Sequence, residues 1–238
     1  MGLPKIDAPL FTLELPSTGE KIKFRPFTVK EEKILLIAQE SGEVDQIIDS
    51  IKQIINNCVI DVGDIEAYPM FDIEYMIMNI RARSVNNQAK FNIKDPETEE
   101  EVEVSFDIGD LEVSKPEGHT KNIAINETSR LVMKYPSINQ LQAMIKSLNN
   151  KATESDMYEV MLACIDTVVV DGDQVYKLAD YTSEEVEAFL DDLSATTVEG
   201  IKNFFETMPT LRYEIPYTTK GKEKVFVVEG LESFFMSR

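Results

Sequence analysis

The chain lays out one plan of elements twice, and that duplication limits its possible folds more than any other feature. The first copy opens with apolar-alternating residues 10–15 and 21–27 around the turn Pro16-Ser17-Thr18-Gly19. The second opens with residues 122–125 and 130–135 around Asn126-Glu127-Thr128-Ser129. Alternation of period two predicts strands, and the turn residues between them predict hairpins. Each hairpin runs into a proline, Pro26 or Pro136, which disfavours helical geometry in the residue before it and so marks a boundary. A capping box follows at once, Thr28-Val29-Lys30-Glu31 or Ser137-Ile138-Asn139-Gln140. In such a box the hydroxyl accepts from an orphan amide while the Glu or Gln side chain accepts from the cap's own amide.

Farther along, Ile47, Ile48, Ile51, Ile54, Ile55 and Cys58 have the spacing of one helical face, and Met157, Val160, Met161 and Cys164 fall into the same phase. A lone helix of that length does not stand without docking its stripe. Further helices are predicted over 71–85 and 198–208, with an additional one over 183–193 in the second copy. That additional helix carries the stripe Val186, Phe189, Leu190 and Leu193 behind a capping box from Thr182 to Glu185. The first copy closes on residues 91–93 and 102–106, joined through Asp95-Pro96-Glu97-Thr98. The second closes on 212–217 and 225–228, joined through Thr219-Lys220-Gly221. The repeat, about 110 residues, is far longer than a solenoid unit. The expected fold is α+β, with two pseudo-repeated modules that each hold a β-hairpin, several helices and a closing β-hairpin. Residues 1–115 form the first module, with an extended N-terminal arm, and residues 116–238 the second.

A chain of 238 residues with 43% apolar residues buries one good core or two small ones. Its net charge of −19 is shared by both halves. Neither half is basic, so nucleic acid and anionic membrane are poor partners. There is no signal-peptide pattern and no apolar run long enough to span a bilayer, so a cytosolic site of synthesis is expected and no stable membrane insertion. The two cysteines, Cys58 and Cys164, both on apolar helical faces, read as buried free thiols. The sequon Asn126-Glu127-Thr128 carries no weight in a protein that is not secreted.

Catalytic chemistry is not legible. His119, beside Pro116 and Gly118, reads as a linker residue rather than a general base, and neither a Cys-x-x-Cys pair nor a second histidine is present to complete a zinc site. Phosphate-cradling glycine loops and nucleophile elbows are also missing. A calcium loop begun at Asp171-Gly172-Asp173 would place Tyr176 where glycine is needed and Thr182 where the bidentate Glu is needed, so a hairpin turn is expected. The run Glu97, Glu99, Glu100, Glu101 and Glu103 reads as a solvated hairpin tip. No enzyme activity, cofactor or metal is expected.

Partner binding has more support. Lys21, Lys23 and Arg25 share one side of a strand whose other side carries Ile22 and Phe24. Arg130 and Lys134 recur at the matching place, opposite Leu131, Met133 and Tyr135. Pro4, Pro9 and Pro16 stiffen an arm decorated with Leu3, Ile6, Leu10, Phe11 and Leu13, and the tail ends in Leu231, Phe234, Phe235 and Met236. Such segments pack on the chain's own core or serve as docking peptides. The candidate partner-binding residues are Leu10, Phe11, Leu13, Lys21, Lys23, Arg25, Phe234 and Phe235.

The opening Leu3-Pro4-Lys5-Ile6-Asp7, the turn Leu15-Pro16-Ser17-Thr18-Gly19 and the run Ile22-Lys23-Phe24-Arg25-Pro26-Phe27-Thr28-Val29-Lys30-Glu31-Glu32-Lys33-Ile34-Leu35-Leu36 carry a family likeness. With Phe71-Asp72-Ile73-Glu74-Tyr75 and Arg81-Ala82-Arg83-Ser84, they resemble the base plate hub assembly proteins of T-even-type contractile-tailed bacteriophages. The likeness lies in the first hundred or so residues. It implies a non-enzymatic, chaperone-like factor that binds phage base plate hub or tail proteins in the host cell cytoplasm during assembly. A permanent structural subunit of the virion base plate is the alternative, and the residues leave the two open, as they do self-association.

Overall fold

Residues 11–14 and 21–24 alternate apolar and polar side chains, so one face of each short strand can be buried and the other solvated. In the computed structural model, which describes residues 8–85, 88–140 and 161–230, they form β1 (Phe11–Glu14) and β2 (Lys21–Phe24), antiparallel, with Phe11 opposite Phe24 and Leu13 opposite Ile22. Gly19, at φ +74°, supplies the left-handed residue that closes the turn between them.

The capping box forms as expected at Thr28 and starts α1 (Val29–Ser41), which ends on Gly42 in the left-handed conformation. Helix α2 (Val44–Cys58) then buries the whole predicted stripe from Ile47 to Cys58. Its end turns directly into β3 (Val59–Ile60), which pairs with β2 through Phe24 and Val59. Helix α3 (Met70–Ser84) begins at Pro69 and buries Phe71, Ile73, Met76, Ile77, Met78 and Ile80, a set too broad for one face. A helix apolar on most sides is a core element, and α3 holds that place in its unit.

Five further strands complete this unit. Strands β4 (Gln88–Lys94) and β5 (Glu101–Asp107) form a two-stranded sheet, and β6 (Glu112–Ser114) follows. Much later in the chain, β11 (Thr210–Thr219) pairs with β6 on one side and β12 (Lys222–Glu229) on the other. The ring of Phe106 on β5 stacks on Tyr213 of β11 at 4.7 Å between centroids.

The second unit is built from the intervening chain, Lys115–Pro209. Its sheet has the order β10-β9-β8-β7, from β7 (Asn122–Ala124), β8 (Arg130–Met133), β9 (Ile165–Val170) and β10 (Gln174–Lys177). All pairings are antiparallel, with a bulge between Val132 and Met133. Helices α4 (Ser183–Asp191) and α5 (Ala195–Glu206) follow, each behind a hydroxyl cap, Thr182 and Ser194. The core gathers Ile123, Leu131, Met133, Cys164, Ile165 and Val168 from the sheet side and Ile201 and Phe204 from α5. Helix α5 comes so close to β7 that a Cβ at Gly200 would lie 2.7 Å from Cγ2 of Ile123.

The fold is α+β, as expected. One local arrangement occurs in both units: the amides of Arg25 and Lys134 donate to the carbonyls of Cys58 and Cys164, at 2.9 and 2.8 Å, beside the pairs Phe24–Val59 and Met133–Ile165. Ser137 and Gln140 make both halves of their capping box. The closing hairpins differ. Strands β4 and β5 stand as a sheet of two, whereas β11–β12, read from sequence as the close of a module at 116–238, joins β6 in the first unit. Residues 157 and 160 of the second predicted stripe lie outside the described residues.

Candidate partner-binding surface

The outward face of the β1–β2 ribbon carries Lys21 and Lys23, both exposed, while Ile22 and Phe24 point into the core, as their alternation requires. The register sets Glu14 opposite Lys21 and Thr12 opposite Lys23. Across β3, Ile60 lies opposite Lys23 and is exposed, adding an apolar element to the basic strand. Leu10, just ahead of β1, is 55% exposed.

The other expected contact residues have duties within the fold. Leu13 is buried beside Leu15 and Ile22, so this stretch is a strand in the core rather than part of a free arm. Phe11 is half-buried, with its ring 5.8 Å from that of Phe24 and the Arg83 guanidinium 5.0 Å above it, a cation–π arrangement. Arg25 lies just past the strand end and turns toward the first helix, donating to the Pro26 carbonyl at 2.9 Å and to Glu31 Oε1 at 3.1 Å. Phe234 and Phe235 lie outside the described residues.

Glu31 does two things at once. Its Oε2 accepts from the amide and hydroxyl of Thr28, closing the capping box, while Oε1 takes the Arg25 guanidinium. Burial pushes this carboxyl upward, but the bonds from Thr28 and Arg25 outweigh it and hold it at about 2. Thus the residue that starts α1 also fixes the end of the basic strand.

Two buried aspartates, Asp72 and Asp95, also anchor turns. Asp72 on α3 accepts from the amide of Ser17 at 3.0 Å and from its hydroxyl, tying the β1–β2 turn to the central helix. Asp95 opens the acidic tip between β4 and β5. It is fully buried, accepting from the Tyr217 hydroxyl at 2.6 Å, the Lys224 ammonium at 2.9 Å and the amides of Glu97 and Thr98. The bond from Tyr217, then those from Lys224 and Thr98, hold its carboxyl far below the usual range against the opposing effect of burial. Glu97, Glu99, Glu100, Glu101 and Glu103 are all exposed, as expected of a solvated tip, while Asp95 at the base of the tip docks the turn. The signal was present in the sequence: Asp-Pro-x-Thr places a carboxylate where it can take the amides two and three residues on.

His119 is not a loose linker residue. Its ring lies 5.2 Å from Phe204 and 5.7 Å from Tyr135, and both nitrogens are bonded, Nδ1 to Thr207 Oγ1 at 2.9 Å and Nε2 to Tyr135 Oη at 3.0 Å. The Thr207 hydroxyl donates to the Asn203 carbonyl, so Nδ1 carries the proton and Nε2 accepts from tyrosine. Burial, helped by Lys121, lowers the ring's pKa and keeps it neutral. Cys58 and Cys164 are buried free thiols. Burial, only partly offset by Arg25 at Cys58 and by Lys134 at Cys164, pushes each up to about 11. Asp171 and Gly172, both with positive φ, turn β9 into β10. Among the described residues no group of three or more His, Cys, Asp or Glu side chains is placed to hold a metal ion, and no helix is long and apolar enough to cross a membrane.

No curated protein and no solved structure matches the chain. The family model described as T4 bacteriophage base plate protein matches residues 8–236, which takes in the exposed basic ribbon, the docked turns and the whole of the second unit. The chain belongs to the T4 bacteriophage base plate protein family.

Proposed function

We propose that this protein is a non-enzymatic assembly factor that binds hub subunits of the phage base plate in the host cytoplasm. Family membership supports partners among phage base plate proteins. The observation that carries the reading is the extent of the match, residues 8–236, so that a base plate role belongs to both units and not to one fragment. The likeness of its opening residues to hub assembly proteins supports the hub as the target. The side chains best suited to catalysis support the absence of an enzyme role: His119 and both thiols are spent on packing and internal hydrogen bonds.

The contact surface in this reading is the β1–β2 ribbon. Lys21 and Lys23 steer toward an acidic partner, Leu10 and Phe11 supply apolar contact, and Phe234 and Phe235 provide a second anchor. Leu13 and Arg25 act through the shape of the ribbon. Charge steering weakens with salt while apolar anchoring does not.

Quantitative mass spectrometry of purified virions against infected-cell lysate tests the proposal. An assembly factor is abundant in lysate and missing from virions, whereas stoichiometric copies in the base plate make it a structural subunit. A Lys21→Glu, Lys23→Glu variant that stays folded yet recovers the same hub proteins would move the contact surface elsewhere.

A further inference from the structure

Register carries one row of side chains across the whole sheet of the second unit: Ile123 on β7, Leu131 on β8, Val168 on β9 and Tyr176 on β10. Paired residues of adjacent strands share a face, so this row marks the side that must be covered. The first three members are covered, at 7%, 0% and 6% exposure, beneath Ile201 and Phe204 of α5. The fourth is not, since Tyr176 is 41% exposed.

Helix α4 is the element that should close this end, and it does so incompletely. Its apolar stripe is intact in sequence, and Phe189 and Leu190 pack on the core, yet none of its residues is more than partly buried. Between it and the sheet lies a cavity of about 420 Å³ lined by Val168, Val170, Tyr176, Leu178, Val186 and Phe189, with Tyr181 at its edge, 45% exposed. That volume is in the range of pockets that enclose a small ligand or a few side chains, about 300–1,000 Å³. The one charged side chain in the lining is acidic, Glu185, and the stretch of chain that forms the groove is predominantly acidic. From Ile165 to Asp192 the chain carries nine carboxylates, including Asp180, Glu184 and Glu187, against Lys177 alone.

We infer that this groove receives a segment of a partner protein that inserts one or two large apolar side chains and flanks them with lysine or arginine. The apolar walls demand the anchor, and the acidic surroundings select the flanks and speed encounter. A second copy of this chain is a poor occupant because its net charge of −19 would set like charge against like. The inference deepens the assembly reading and rests on it only for the partner's origin among base plate proteins. Binding of the peptide below is measured in isolation, so its failure removes the groove and leaves the virion inventory to judge the assembly reading.

The test uses the full chain and a fluorescein-labelled peptide with a central Leu-Phe pair between lysine-rich flanks, followed by anisotropy. Two control peptides replace the Leu-Phe pair by Ser-Ser or the lysines by glutamates. The variants are Tyr176→Ala with Tyr181→Ala, which removes exposed walls, and Glu184→Lys with Glu187→Lys, which reverses exposed charge on the helix that walls the groove and leaves the Thr182–Glu185 cap alone. Circular dichroism and thermal melting verify that both remain folded. The expected result is binding by the Lys-flanked apolar peptide, weakened about tenfold by the tyrosine changes and by the Ser-Ser control. Charge reversal should weaken it by a similar factor at low salt and flatten its salt dependence. No binding of the Lys-flanked apolar peptide, equal binding of the Ser-Ser peptide, equal binding of the Glu-flanked peptide, or unchanged affinity in the tyrosine variant would each overturn the inference.

Discussion

Glu31 links two elements through one carboxylate, and its loss should be felt in both. Glu31→Gln keeps the size but gives up the charged partner of Arg25, and it should destabilise the protein by about 1–3 kcal/mol. The folded carboxyl sits at about 2 against an ordinary 4.5, so its contribution is fully present above 4.5 and fades as pH falls toward 2. Denaturation of wild type and variant across that range should therefore converge in acid; a gap that persists at pH 2 would show that the charge is not the cause. His119 has the opposite protonation chemistry but the same direction of pH effect. Its folded pKa lies below 6.5, so the stability it provides is complete above 6.5 and declines as pH drops through the folded value. An NMR titration of its Cε1 proton should give a midpoint under 6.5, and a midpoint at or above 6.5 would contradict the neutral, doubly bonded ring. Asp95→Asn should lower the denaturation midpoint by weakening the Lys224 and Tyr217 bonds, with Lys224→Met losing little further in that background.

At the scale of elements, the close approach of α5 to β7 sets a measurable conflict. Alanine at position 200 would favour the helix by up to about 1 kcal/mol, but its methyl would lie 2.7 Å from a branch methyl of Ile123, which has no freedom to swing away. Overpacking of this kind costs about 1–3 kcal/mol, so Gly200→Ala should be net destabilising, and Ile123→Ala should relieve part of that cost in a double-mutant cycle. Purely additive effects would mean that the backbones simply move apart. Elements with their own chemical signals were legible in the sequence: the α2 stripe, the boxes at Thr28 and Thr182, and the alternation of Lys21 to Phe24. What was not legible depended on distant partners. Nothing near Asp95 names Tyr217 and Lys224, more than a hundred residues away, and nothing near His119 names Thr207. Of the candidate contact residues, alternation gave the outward face of Lys21 and Lys23, but the same strand logic buried Leu13, and the ion pair of Arg25 required the geometry of the helix start.

For the whole molecule, the duplication read from the sequence is testable by superposition. Residues 9–107 and 122–229 should superpose over the opening hairpin, the capped helix start and the strand that returns to the hairpin, because the amide-to-carbonyl bonds at Arg25 and Lys134 are matched. Their closing hairpins should not, since β11–β12 is paired with β6. Superposition of no more than a single helix would end the duplication. The same pairing has a mechanical consequence. The chain leaves the first unit at Ser114 and re-enters at Thr210, and these two residues face each other across the β6–β11 ladder. Tension applied between residues 8 and 230 therefore runs through the first unit alone, and the second stays off the load path while the three pairs from Ser114–Thr210 to Glu112–Arg212 hold. That short ladder acts as a mechanical fuse, whose rupture would put the inserted unit under load for the first time.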